Sequence, residues 1–145
     1  MKESKMTFDK TKNEASNKLD YAEYYYFTNK IFRIIEDSVI YMCGAVKLGE
    51  PKSVSFGNMR MEYKAWFLGM SAKLYIDDKI VFKARKGGLA GTITYSTIDK
   101  EMITAPVLNN LFRIDDLIKT IRNRDLSDAL RTKARREIGS LIRRD

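Results

Sequence analysis

Protein chemistry near neutral pH runs mostly through histidine, cysteine or converging carboxylates. This 145-residue sequence has no histidine and one cysteine, Cys43. Without histidine there is no Ser-His-Asp triad, no Cys-His pair and no imidazole base, and zinc sites built on histidine or paired cysteines are excluded. Two acidic pairs, Asp77-Asp78 and Asp115-Asp116, remain as candidates for a hard cation. Adjacent residues point to different sides of a strand or helix, so neither pair converges on one ion, and a turn or a solvated helix surface is expected for both. The expectation is a protein that is not an enzyme and carries no metal and no cofactor.

A further candidate is the run KIVFKARKGGLAGT, Lys79 to Thr92, with three glycines in five residues. A phosphate-cradling loop needs G-x-x-x-x-G-K-[ST] between a strand and a helix, so that backbone N–H groups and a helix N-terminus converge on the anion. Here Gly87, Gly88 and Gly91 lead into Thr92 without the lysine, and the residues beyond alternate as a strand. A turn between two strands is predicted, not a nucleotide pocket.

Charge and flat rings offer more. The chain carries 27 Lys and Arg against 19 Asp and Glu, a formal +8. The excess is absent from residues 1–50, where eight of each sign balance, and begins in the middle of the chain. Such an excess attracts polyanions without choosing among them, and its alternative is a surface that merely keeps the protein in solution.

The middle third reads as antiparallel sheet by its period of two. If Met59, Met61, Tyr63, Ala65, Phe67, Leu74, Ile76, Ile80, Phe82 and Ala84 face a core, the alternating neighbours face outward. That outward set is Arg60, Glu62, Lys64, Trp66, Lys73, Tyr75, Lys79, Val81, Lys83 and Arg85, basic at six positions and aromatic at two. Cations that track phosphates, interleaved with rings that stack on unpaired bases at roughly 1–3 kcal/mol each, suit single-stranded nucleic acid. The competing reading is a lysine-rich solvent face that discourages edge pairing, with Trp66 covered by the first helix.

A second basic site is the final helix, with Arg131, Lys133, Arg135, Arg136, Arg143 and Arg144 around a narrow apolar stripe. Arginine makes bidentate phosphate contacts, and a helix after a short turn can read a groove. Asp128, Glu137 and Asp145 interrupt it, and cations near a helix C-terminus also answer the helix dipole.

These side chains must be positioned by a small set of elements. Residues 1–18 have few apolar anchors and are read as a flexible arm, with one α+β domain over 19–145. From Asp20, a candidate N-cap, apolar residues at Tyr24, Phe27, Ile31, Ile34, Ile35, Ile40 and Met42 predict a helix that stops near Gly44, Gly49 and Pro51. Turn candidates at Gly57-Asn58 and Asp77-Asp78 and the glycine-rich link divide a meander of four to five strands. Thr104 with Pro106 opens one C-terminal helix and Ser127 caps the next, the pair packing on one sheet face. A helix, antiparallel strands and a further helix resembles the double-stranded-RNA-binding domain in element order alone. That family's glycine-rich lysine cluster before its last helix has no counterpart here, so no residues are carried across.

The predicted protein is a non-enzymatic nucleic-acid binder, single strands favoured, in a regulatory or accessory role. The alternative is an interaction module, an inhibitor, adaptor or homo-oligomer, working through the Tyr24-Tyr25-Tyr26 helix and the basic surface. No run of about 18 apolar residues occurs and the first 20 residues are polar, so a soluble cytoplasmic protein without membrane contact is expected.

Overall fold

The computed structural model describes residues 17–87 and 92–142. The expected arm therefore falls almost entirely outside the described residues, as do Gly88, Gly91, Arg143 and Arg144. The order is α1 (Asn17–Cys43), β1 (Lys52–Phe56), β2 (Met59–Trp66), β3 (Gly69–Ile76), β4 (Lys79–Gly87), β5 (Ile93–Ile98), α2 (Ala105–Arg122) and α3 (Asp128–Leu141). The strands form one antiparallel sheet in the order β1-β2-β3-β4-β5, the α+β meander that the alternation predicts.

Helix α1 buries Thr28, Ile31, Phe32, Ile35, Ser38 and Val39, the three- and four-residue spacing of one helix face. Its buried serine is satisfied locally: Ser38 Oγ donates to the Ile34 carbonyl at 2.6 Å. The helix stops at Gly44, whose φ of 78° is open to glycine at little cost and whose N–H reaches the Ile40 carbonyl at 2.9 Å. Asp20 does not cap the helix. Among the described residues α1 already runs from Asn17, because Lys18 and Leu19 are good helix formers and nothing there breaks it.

Two-residue turns set the sheet register. Gly57, φ 61°, lies between paired Phe56 and Met59, and Asp77 and Asp78, φ 51° and 66°, lie between paired Ile76 and Lys79. Positive φ at both Asp77 and Asp78 is the type I′ pattern, and positive φ at Gly57 but not Asn58 the type II′ pattern, the two that match strand twist. Asn58 Nδ2 donates to Asp77 Oδ1 at 3.1 Å, and the Asp77 N–H to the Asn58 carbonyl at 3.0 Å, so the two turns brace each other. The first acidic pair is thus a turn, as its composition predicts.

The second acidic pair departs from expectation. Asp115 is only 3% exposed, and its carboxylate lies 3.3 Å from Lys30 of α1 and 2.9 Å from Lys119 one turn further along α2. The α1–α2 crossing covers it, and two ammonium groups repay the lost hydration.

One side of the sheet faces α1, which contacts β1, β2, β3 and β5; α2 packs on α1, and α3 on α2. Arg131 meets the Ile121 carbonyl near the α2–α3 connection, and Arg113 pairs with Glu137 further along, so the two helices run antiparallel. Ser127 caps α3, its Oγ accepting from the Leu130 N–H at 3.3 Å. The core joins Met61, Leu74, Phe82 and Ala84 of the sheet to Ile31, Phe32 and Ile35 of α1 and Leu111, Ile114 and Ile118 of α2. Each large side chain buried there contributes about 1.5–3 kcal/mol, which is what turns the apolar side of every strand inward. No described helix is long and apolar enough to cross a membrane.

Candidate nucleic-acid interface

Cross-strand register decides which cations share the side of the sheet away from α1. Arg60 pairs with Tyr75, Glu62 with Lys73, Lys64 with Ser71, Lys73 with Lys83, and Ser71 with Arg85. Directly opposed residues lie on one face, so Arg60, Lys64, Trp66, Lys73, Tyr75, Lys83 and Arg85 come together, with Glu62 among them.

Lys79 does not join them. Leu74 pairs with Phe82 but Tyr75 pairs with Ile80, leaving Val81 as an extra residue in β4. A bulge of this kind resets the alternation on one side of itself. Val81, expected outside, is 2% exposed, whereas Ile80, expected in the core, is 43% exposed and faces the basic side opposite Tyr75. Lys79 is carried into register with buried Ile76 at the hairpin mouth, exposed but off the basic face.

The rings on this face are not bare. The Arg60 guanidinium lies 3.8 Å from the Tyr75 ring centroid, and the Tyr75 hydroxyl donates to Glu62 Oε1 at 3.2 Å. Burial raises the Tyr75 pKa, helped by the charge and hydrogen bond of Glu62 and opposed by Arg60. The phenol therefore stays neutral and a donor through the physiological range. Trp66 has the Arg85 guanidinium 4.6 Å and the Lys64 ammonium 5.8 Å from its ring. Those two cations, not the first helix, cover the indole, since α1 lies across the sheet. Such contacts are worth about 0.5–1 kcal/mol at exposed sites, little enough for a ligand to displace.

Lys73 and Lys83 stand directly opposite each other across β3 and β4. The described part of the face holds five cations, Arg60, Lys64, Lys73, Lys83 and Arg85, against the carboxylate of Glu62.

The last helix lies elsewhere. Arg131 is turned inward, its Nε donating to the Ile121 carbonyl at 2.9 Å and its guanidinium 3.8 Å from Asp128. It closes the end of α2, where carbonyls lack intrahelical partners. Lys133, Arg135 and Arg136 are exposed on α3, within the helical layer, and the fold does not bring them to the sheet face.

Phe67 does not extend β2 into the core: with Leu68 it forms the turn between paired Trp66 and Gly69, 87% exposed. The signal was Gly69. A Cβ there would lie 2.5 Å from the Lys86 carbonyl oxygen, so the third strand passes too close to its neighbour for any side chain. The glycine-rich link, for its part, connects β4 to β5, which pair antiparallel, so no helix follows it to complete a phosphate cradle.

No family model, no curated protein and no solved structure matches this chain.

Proposed function

We propose that this chain is a non-enzymatic nucleic-acid-binding protein, acting in a cytoplasmic setting as a regulatory or accessory factor, with the open sheet face taking single strands. The observation that carries the reading is the shared face of Arg60, Lys64, Lys73, Lys83 and Arg85 with Trp66 and Tyr75, opposed by Glu62. Cations spaced over three adjacent strands suit a flexible phosphate backbone. The guanidinium groups of Arg60 and Arg85, 3.8 and 4.6 Å from the centroids of the Tyr75 and Trp66 rings, are themselves planar surfaces on which unpaired bases stack.

Binding to single strands has a salt slope of about −0.7 per phosphate neutralised, so five contacts give about −3.5 in log affinity against log salt. Affinity for homopolymeric DNA or RNA is then expected to fall about 100-fold between roughly 50 and 200 mM salt. The double substitution Lys73→Ala/Lys83→Ala should bring the slope to about −2. Salt-insensitive binding, or no binding at low salt, removes this reading.

A second reading, an interaction module or homo-oligomer, rests on Tyr25 and Tyr26, which are both exposed on α1. Light scattering that shows a concentration-dependent oligomer lost in Tyr26→Ala would favour it.

A further inference from the structure

The β2–β3 hairpin departs from the pattern of its neighbours. The β1–β2 and β3–β4 turns use Gly57-Asn58 and Asp77-Asp78, the small polar residues that two-residue turns favour. Between Trp66 and Gly69 the same two positions hold Phe67 and Leu68, 87% and 72% exposed, and neither adopts the positive φ of those turns. Turn chemistry asks for neither side chain, and burial does not explain them.

A third apolar residue stands at the same end of the sheet. The Gly49 N–H donates to the Ala65 carbonyl at 2.7 Å, which brings the α1–β1 loop and exposed Leu48 to the end of β2. Large apolar side chains gathered in solvent mark a contact surface rather than scatter. This one is continuous with the basic face: Trp66 immediately precedes Phe67, and Arg85 and Lys64 cover its ring. An occupant of the tip must therefore offer an apolar slot directly beside negative charge.

We propose that the β2–β3 hairpin is a wedge for nucleic acid at a junction, Phe67 and Leu68 entering where a duplex opens into single strands while Lys64 and Arg85 hold the flanking phosphates. The proposal rests on the nucleic-acid reading of the adjoining face and narrows its substrate class. Apolar wedges that enter a base step must unstack it, and the cost is least where bases are already unpaired. A junction offers that step together with a free strand for the open sheet face. A uniform duplex lacks the opened step, and a bare single strand lacks the stacked end against which the wedge bears.

The test compares a forked duplex, the blunt duplex and the single strand at about 50 mM salt, where charge contacts are strong. Wild type is set beside Phe67→Ser/Leu68→Ser and beside Leu130→Ser, a control at an exposed leucine of α3. Wild type should favour the fork by about tenfold over either simpler substrate, and the double variant should lose that preference while holding single strands within about twofold. Circular dichroism melting should show the double variant as folded as wild type, and Leu130→Ser should bind as wild type does. A fork preference unchanged in the double variant overturns the wedge and leaves the nucleic-acid reading standing. Wild type that binds no substrate at this salt removes both. Sedimentation with phosphatidylserine vesicles that depends on Phe67, without any fork preference, assigns the tip to an acidic bilayer and overturns the wedge.

Discussion

The guanidinium carbon of Arg60 lies 3.8 Å from the centroid of the Tyr75 ring, directly across the β2–β3 ladder. Glu62, also on that face, accepts from the Tyr75 hydroxyl and stands 4.0 Å from the Arg60 guanidinium. Three residues on two strands thus hold one another in place. A base arriving there meets a preset planar cation rather than a mobile one, which lowers the ordering cost of binding.

That arrangement separates charge from shape. Arg60→Ala should weaken single-strand binding and reduce the salt slope by about 0.7, one phosphate contact. Arg60→Lys keeps the charge but not the plane, so its slope should match wild type while affinity falls about threefold to tenfold through lost stacking. Fluorescence anisotropy across a salt series reads both quantities, and an unchanged affinity in Arg60→Lys would show that Arg60 serves as charge alone.

Tyr63 makes stability depend on alkaline pH. Burial, and then the hydrogen bond to Glu36 at 2.8 Å and the charge of that carboxylate, push its ionisation far above the ordinary tyrosine value near 10. The folded chain keeps a proton that the unfolded chain releases, so this contribution is complete below about pH 10 and is lost as pH rises beyond it. Urea melts from about pH 8 to 11 should show stability declining over the upper part of that range. Tyr63→Phe should cost about 1 kcal/mol at neutral pH and make the upper part flatter.

Asp115 joins two helices through two ammonium groups. Asp115→Asn should destabilise by about 1–3 kcal/mol, the range for a hydrogen-bonded buried charge, with partial solvent access to Lys30 and Lys119 limiting the loss. Asp116→Asn, one residue on but exposed, should lie within about 0.5 kcal/mol of wild type. The Asp115 carboxylate also raises the Lys119 pKa, by its hydrogen bond first and its charge second. NMR titration of Lys119 should show that shift removed in Asp115→Asn.

Arg131 and its neighbours on α3 should divide cleanly. Arg131→Ala removes the contact that closes α2 at the Ile121 carbonyl and should cost about 1–2 kcal/mol in chemical denaturation, with little change in binding to single strands. Arg135→Ala/Arg136→Ala should leave stability within about 0.5 kcal/mol of wild type. A large loss of single-strand binding in that pair would move the interface from the sheet to the helix.

Much of this molecule is legible along the chain. Met59, Met61 and Tyr63 against Arg60, Glu62 and Lys64 declare the two faces of β2, because successive strand residues point oppositely and only one set is worth burying. Gly57-Asn58, Asp77-Asp78, Gly44 and Ser127 punctuate the elements through backbone preferences that act locally. Period, turn and cap are near-neighbour properties, so the sequence by itself determined the element order, the meander and most of the basic face.

The tertiary structure decided the rest. Alternation states that faces differ but not where an extra residue enters, and only the pairing of Leu74 with Phe82 and of Tyr75 with Ile80 shows the bulge that exposes Ile80, buries Val81 and removes Lys79 from the basic face. An apolar pair beside a strand reads the same whether it continues the strand or turns, so with Gly69 as the one local hint, the exposure of Phe67 and Leu68 was decided by the register of Trp66 with Gly69. The burial of Asp115 needed the crossing of α1 over α2, and the cover on Trp66 needed Arg85 from two strands away. Each of these is a contact between distant parts of the chain, set by packing and pairing free energies that no local pattern contains.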